Sequence, residues 1–158
     1  MGNKDKKLKE KKISASLEDY LEAIYKIIEE KQGVKAIEIS RRLGVGKSSV
    51  TEALKNLADK ELVNYGRYDV ISLTPAGEEA AKKVIRKHQI LYEFFTQILG
   101  VNKEEAQENA CRIEHVISED ILKRLISFIE FNKQNNNINH NYLEEFKKFY
   151  AENNNKKE

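Results

Sequence analysis

Residues 36–60 read AIEISRRLGVGKSSVTEALKNLADK, and they hold two helical periodicities on either side of a glycine turn. Ala36, Ile39 and Leu43 repeat at i, i+3, i+7 and stop at Gly44, while Val50, Leu54 and Leu57 repeat at i, i+4, i+7 within 47–60. Two short amphipathic helices joined by Gly44-Val45-Gly46 predict a helix-turn-helix. The apolar positions of the second helix leave Ser48, Thr51 and Lys55 on another face.

Working outward, Ser16-Leu17-Glu18-Asp19 has the form of a capping box, and Leu17, Leu21, Ile24 and Ile28 follow at helical spacing. A first helix is therefore expected to about Lys31, ended by Gly33, whereas Lys35 offers the next helix no good cap. Residues 62–65 and 70–73 are β-favouring runs around Gly66-Arg67-Tyr68-Asp69, which predicts a hairpin, or wing. Thr74 caps and Pro75 opens a long helix expected to reach Gly100. Helical periodicity returns over 103–117 and 119–131, and an Asn-rich stretch at 132–141 leads to a last amphipathic helix with Tyr142, Phe146 and Phe149 on one side. The fold expected is mainly α: an N-terminal winged helix-turn-helix followed by an all-helical dimerisation region. Dimerisation is expected because 103–131 present Ile117, Ile121, Leu125, Phe128 and Ile129, more apolar surface than a lone helical appendage leaves wet.

A chain of 158 residues, 40% hydrophobic, suits one compact domain or a small domain with a helical extension. It contains no run of eighteen apolar residues, and its lysine-rich start has no apolar segment after it, so a cytoplasmic protein without a membrane span is expected. Residues 4–12 carry six lysines against Asp5 and Glu10, a block that either follows a phosphate backbone or serves as a solvated tail. Cys111 is the only cysteine, which excludes an intrachain disulfide and leaves its thiol for packing, redox chemistry or metal ligation.

A DNA-reading helix needs short polar and basic side chains in its N-terminal half, and Lys47, Ser48, Ser49, Thr51 and Lys55 meet that need. Residues 35–67 hold seven Lys/Arg against four acids, and Arg67 at the wing tip is placed for a minor groove or a phosphate. The plainer account of each is a solvated helix face. Gly46-Lys47-Ser48 is not a nucleotide-binding loop, because Arg41 stands where that motif requires a glycine.

Cys111, Glu114 and His115 lie at i, i+3, i+4, so one helical face offers a thiolate, a carboxylate and an imidazole, a mixed set suited to a transition metal. Ala110, Ile113, Val116 and Ile117 surround them, and charges turned inward there need a partner. Asp19 and Glu22 sit at i, i+3 on the first helix, and His88 follows Val84 at i+4 on the long one. Each has a structural alternative: Asp19 in the capping box, Glu22 solvated, His88 hydrogen-bonded in the core, Cys111 a small buried hydrophobe.

The segments Leu17-Glu18-Asp19-Tyr20-Leu21-Glu22-Ala23-Ile24-Tyr25, Ser48-Ser49-Val50-Thr51, Leu73-Thr74-Pro75-Ala76-Gly77, Arg86-Lys87-His88 and Cys111-Arg112-Ile113-Glu114-His115-Val116 together resemble the diphtheria toxin repressor and manganese transport regulator family, over roughly residues 14–131. The resemblance implies a homodimer that binds Mn²⁺ or Fe²⁺, with Co²⁺ or Zn²⁺ as substitutes in vitro, and then clasps palindromic double-stranded operator DNA to repress metal-uptake genes. It implies Asp19, Glu22, His88, Glu114 and His115 as ligands of the manganese type, where the position of Cys111 is a glutamate. Cys-Arg-x-Glu-His is similar instead to the iron-responsive branch, which has methionine in place of Asp19, so the ligand set combines the two. The carboxylate and extra histidine of that branch's ancillary site are replaced here by Tyr92 and Gln107. On this basis residues 1–13 form a basic tail, 14–74 the DNA-binding domain, 75–132 the metal-binding and dimerisation domain, and 133–158 a linker and C-terminal helix.

Two other classes compete. A di-iron enzyme needs Glu-x-x-His from each of two helices, whereas Glu114 directly precedes His115, and three histidines supply no evident catalytic dyad. A winged-helix regulator without metal control would make all six candidate ligands structural.

Overall fold

The computed structural model describes residues 13–31, 33–66, 70–135 and 142–154. The basic tail, Arg67 and His140 lie outside the described residues. The chain divides into two compact units, 1–82 and 83–158.

In the first unit, α1 spans Ala15–Glu30 and is capped by Ser14, whose side chain accepts from the Leu17 N–H at 3.4 Å. The helix thus starts two residues before the expected box at Ser16, and Asp19 has no part in the cap. Its end falls where expected, with Lys31 as the C-cap, whose N–H reaches the Ile27 carbonyl. The start of α2 (Ala36–Leu43) is secured from within: Glu38 accepts from the Lys35 N–H at 2.9 Å and also holds the Lys31 amine. Those contacts, with the Lys31 one the larger, keep the Glu38 carboxyl below the usual carboxylate range. Gly44 ends α2 at φ +66°, a left-handed conformation that glycine adopts without penalty. Ser40 then locks the turn, its hydroxyl donating to the Val45 carbonyl at 2.6 Å and its own carbonyl accepting from the Val45 N–H at 3.1 Å.

The helix α3 (Lys47–Asp59) buries Val50, Ala53, Leu54 and Leu57 against Leu21, Ile24 and Ile39. Each fully buried Leu or Ile here contributes about 1.5–3 kcal/mol. β1 (Val63–Tyr65) pairs antiparallel with β2 (Ile71–Leu73), Asn64 opposite Ser72, and Ile71 is bridged in turn by Val34. α4 (Pro75–Glu93) is launched from this hairpin at Thr74. The Thr74 hydroxyl donates to the Glu61 carbonyl at 2.7 Å and accepts from the Gly77 N–H at 3.0 Å, while the Thr74 N–H donates to the Leu62 carbonyl at 3.0 Å.

Beyond Lys82, α4 continues into a π-helical segment, Phe94–Ile98, and the chain turns at Gly100 with φ +67°. α5 spans Lys103–Ile113, capped by Asn102, whose side chain accepts from the Glu105 N–H at 2.9 Å. It stops short of the expected end at 117: Glu114 closes it and His115 stands in the following turn. α6 (Glu119–Asn135) and α7 (Tyr142–Asn154) complete the unit. Ile121 (50% exposed) and Phe128 (46%) face outward as expected, with Phe131 (60%), but Ile129 is turned into the core at 4%. Phe128 packs edge-on against Phe94, ring centres 6.3 Å apart. Among the described residues no helix is long and apolar enough to cross a membrane.

Gly77 is buried with its Cα against the Leu62 backbone, and a Cβ there would overlap the Leu62 carbonyl. Because backbone cannot swing aside as a side chain does, Gly77→Ala is expected to cost roughly 3 kcal/mol or more, read as a lower urea midpoint at unchanged slope. A midpoint equal to wild type would show that the wing and α4 are not in contact in solution.

Candidate functional site

Four of the six candidate ligands gather in the second unit, around Glu114. Glu114 has no exposed surface. Its Oε2 lies 2.6 Å from His88 Nδ1, which reaches it from α4, and its Oε1 lies 3.4 Å from His115 Nε2. The first contact is a strong hydrogen bond; the second is an ion-pair distance, and Oε1 has no hydrogen-bond partner. With the carboxylate ionised, and so able only to accept, His88 Nδ1 donates the proton of this bond. Cys111, one turn back on α5, is exposed, and its Sγ is within 4.8 Å of a Glu114 carboxylate oxygen. Cys111 therefore lies at the solvent side of the cluster rather than being the small buried hydrophobe of the structural alternative.

Asp19 and Glu22 sit on α1 in the first unit, both half-buried. Glu22 pairs with Lys26 at 2.5 Å, one turn on. Asp19 acts electrostatically on its neighbour Tyr20: burial raises that phenol's pKa first, and the carboxylates of Asp19 and then Glu52 raise it further. The six candidates offer hard oxygens, imidazole nitrogens and one thiol, a donor set that suits a divalent transition cation. A buried carboxylate oxygen without a hydrogen bond costs about 1–3 kcal/mol, and a cation is a fitting partner for it.

The other candidate surface is α3. Lys47, Ser48, Ser49 and Lys55 are all exposed. Thr51 is half-buried, and its hydroxyl donates to the Lys47 carbonyl at 3.0 Å, so it offers a DNA base its methyl group and a lone pair but not its proton. Arg42, counted toward the basic surplus, is held by both oxygens of Glu30 at 2.6 Å. Glu52 is exposed on the same side of α3 as Ser48 and Lys55, a position that a count of charges passes over.

Residues 12–70 match the family described as iron dependent repressor, N-terminal DNA binding domain, and residues 74–143 match iron dependent repressor, metal binding and dimerisation domain. An uncharacterized HTH-type transcriptional regulator of Methanocaldococcus jannaschii is 41% identical over 119 residues, 75% of this chain and 95% of that one. The HTH-type transcriptional regulator MntR of Bacillus pumilus is 35% identical over 116 residues, 73% of this chain and 80% of its own. Among solved structures, IdeR of T. acidophilum superposes with a TM-score of 0.64 at 29% identity, covering 72% of this chain and 53% of its own. A manganese-dependent transcriptional repressor in complex with manganese gives 0.67 at 29%, covering 73% and 53%. The chain thus spans about half the length of these two solved proteins and most of the two curated relatives.

The Glu114 cluster makes an unequal prediction for its two partners. His88→Ala strands a buried carboxylate and is expected to cost roughly 1–3 kcal/mol in chelator-treated protein. Glu114→Leu should cost less, because it removes the buried carboxylate together with the oxygen that lacks a hydrogen bond, and the His88 and His115 rings it leaves behind are not fully buried. Urea unfolding of both variants checks the order, and the reverse order would contradict the buried charge.

Proposed function

Since the chain belongs to the iron-dependent repressor family, and is thus a metal-dependent transcriptional regulator rather than an enzyme, we propose that it acts in the cytoplasm as a homodimer. In this reading it binds palindromic operator DNA when loaded with Mn²⁺ or Fe²⁺ and represses metal-uptake genes. The observation that supports it most is the buried Glu114 carboxylate, flanked by His88 and His115 and with one oxygen lacking a hydrogen bond. A divalent metal is what the family's second domain and its manganese- and zinc-bound structural neighbours have in common.

The ligands in this proposal are Asp19, Glu22, His88, Cys111, Glu114 and His115. Bound there, an ion supplies positive charge against three carboxylates and a thiolate that otherwise repel one another. The chain's own part is to carry those ligands on α1 and on 88–115. Once ligation restrains both stretches together, less entropy is lost when the dimer docks on DNA. Metal and operator then strengthen each other's binding by the same factor. Lys47, Ser48, Ser49, Thr51, Lys55 and Arg67 are the DNA contacts, and Ile121, Phe128 and Phe131 on α6 supply apolar surface for the second copy. The functional division runs 14–74 for DNA and 75–132 for metal and dimer, with a basic tail at 1–13 and the linker and last helix at 133–158. Cys111 brings a softer ligand to a set of hard oxygens, which favours Fe²⁺ over Mn²⁺ without excluding either.

Fluorescence anisotropy on a family-type palindrome, with each divalent metal under reducing anaerobic conditions, tests this. Glu114→Ala and His115→Ala are expected to abolish a metal stimulation of about 5–150-fold, leaving weak, salt-sensitive binding. Cys111→Glu should move the preference toward Mn²⁺. A His115→Ala protein that responds fully to every metal would refute the sensor. Sedimentation at micromolar concentration should give a dimer, and a clean monomer would remove the half-site reading.

A further inference from the structure

Glu52 stands in the middle of the outward face of α3. At about 100° per residue, Val50, Leu54 and Leu57 mark the buried side, and Ser48, Glu52 and Lys55 fall opposite them, all exposed. Ser49 lies beside this line, also exposed, and Thr51 beside it with its proton already committed to Lys47. The N-terminal half of the outward face therefore presents one hydroxyl at its centre, Ser48, and one carboxylate, Glu52.

An anion in that position is unusual for a surface that approaches phosphates, because like charges repel as the helix enters the groove. Nor is its charge absorbed locally. Glu22, Glu30, Glu38 and Glu78 of the same unit each hold a Lys or Arg, whereas among the described residues no ion pair engages Glu52. What a major groove offers a carboxylate is an exocyclic amine, and the partner that suits an acceptor-only group is the N4 amine of cytosine.

Resting on the assignment of α3 as the DNA-reading helix, we propose that Glu52 is a specificity-determining residue. Its carboxylate accepts from the N4 amine of one cytosine in each half-site, and its charge weakens binding to every sequence that lacks that amine. Ser48 and Ser49 tolerate several bases, since a hydroxyl both donates and accepts; Glu52 does not.

The test is selection from a randomised duplex library by the full Mn²⁺-loaded chain, repeated with Glu52→Gln and Glu52→Ala, each first matched to wild type in thermal unfolding. Wild type should recover a fixed cytosine in each half-site. Glu52→Gln, whose amide donates as well as accepts, should move that position to adenine. Glu52→Ala should leave it unspecified, and both variants should bind random duplex about three- to tenfold more tightly at low salt. If wild type is selective but both variants keep its consensus and its random-duplex affinity, or change only positions other than a cytosine, the role of Glu52 is refuted while α3 stands. If wild type selects no consensus, the reading of α3 fails and Glu52 with it.

Discussion

A carboxylate wholly removed from water has to be compensated by what surrounds it, and Glu114 places that demand on the second unit. One oxygen is met by the His88 ring from α4, and the other faces the His115 ring without a hydrogen bond. Ending α5 at Ile113 is part of the arrangement, because Glu114 then closes the helix and His115 begins the turn toward α6. The cluster therefore joins α4, the end of α5 and the turn after it. A change at any of the three alters the surroundings of one buried charge.

Electrostatics in the first unit follow a different logic. Its basic side chains are numerous, but several are held internally: Arg42 by Glu30, Lys31 by Glu38, Lys26 by Glu22 and Lys82 by Glu78. Exposed pairs of this kind add little stability. They do reduce the cationic charge open to phosphates, and fewer phosphate contacts mean lower affinity for arbitrary DNA. With a net charge of +2 over the whole chain, discrimination has to come from the polar groups of α3 more than from bulk attraction.

Most of this was legible in the sequence wherever local chemistry decides conformation. Gly44 ended α2, Thr74 and Pro75 started α4, and the periodicities of α2 and α3 marked the buried side chains. What was not legible depended on choices between near-equivalents or on tertiary contact. Ser14 and Ser16 are both able to cap, and local spacing does not distinguish them; the helix uses the earlier one. α2 lacks a good cap at Lys35 because Glu38 and Lys31 supply the substitute from neighbouring turns. The periodicity of 103–117 runs through a helix end that no glycine or proline marks, and Ile129 faces inward where spacing alone placed it on the dimer side. Among the site residues, the partnership of His88 with Glu114 joins positions far apart in sequence, which spacing cannot reveal.

The bridge between Val34 and Ile71 sets an order of events during synthesis. Contacts among α1, α2 and α3 join neighbours along the chain and form quickly, whereas this bridge and the Thr74 junction must wait for β2 and the start of α4. Every partner they need nevertheless precedes Lys82. As the ribosome releases the chain from its N-terminus, the half that contains α3 has every hydrogen-bonding partner it needs before the half that contains Glu114 has emerged. The nascent chain thus acquires a folded helix-turn-helix before it acquires the buried acid of the other unit.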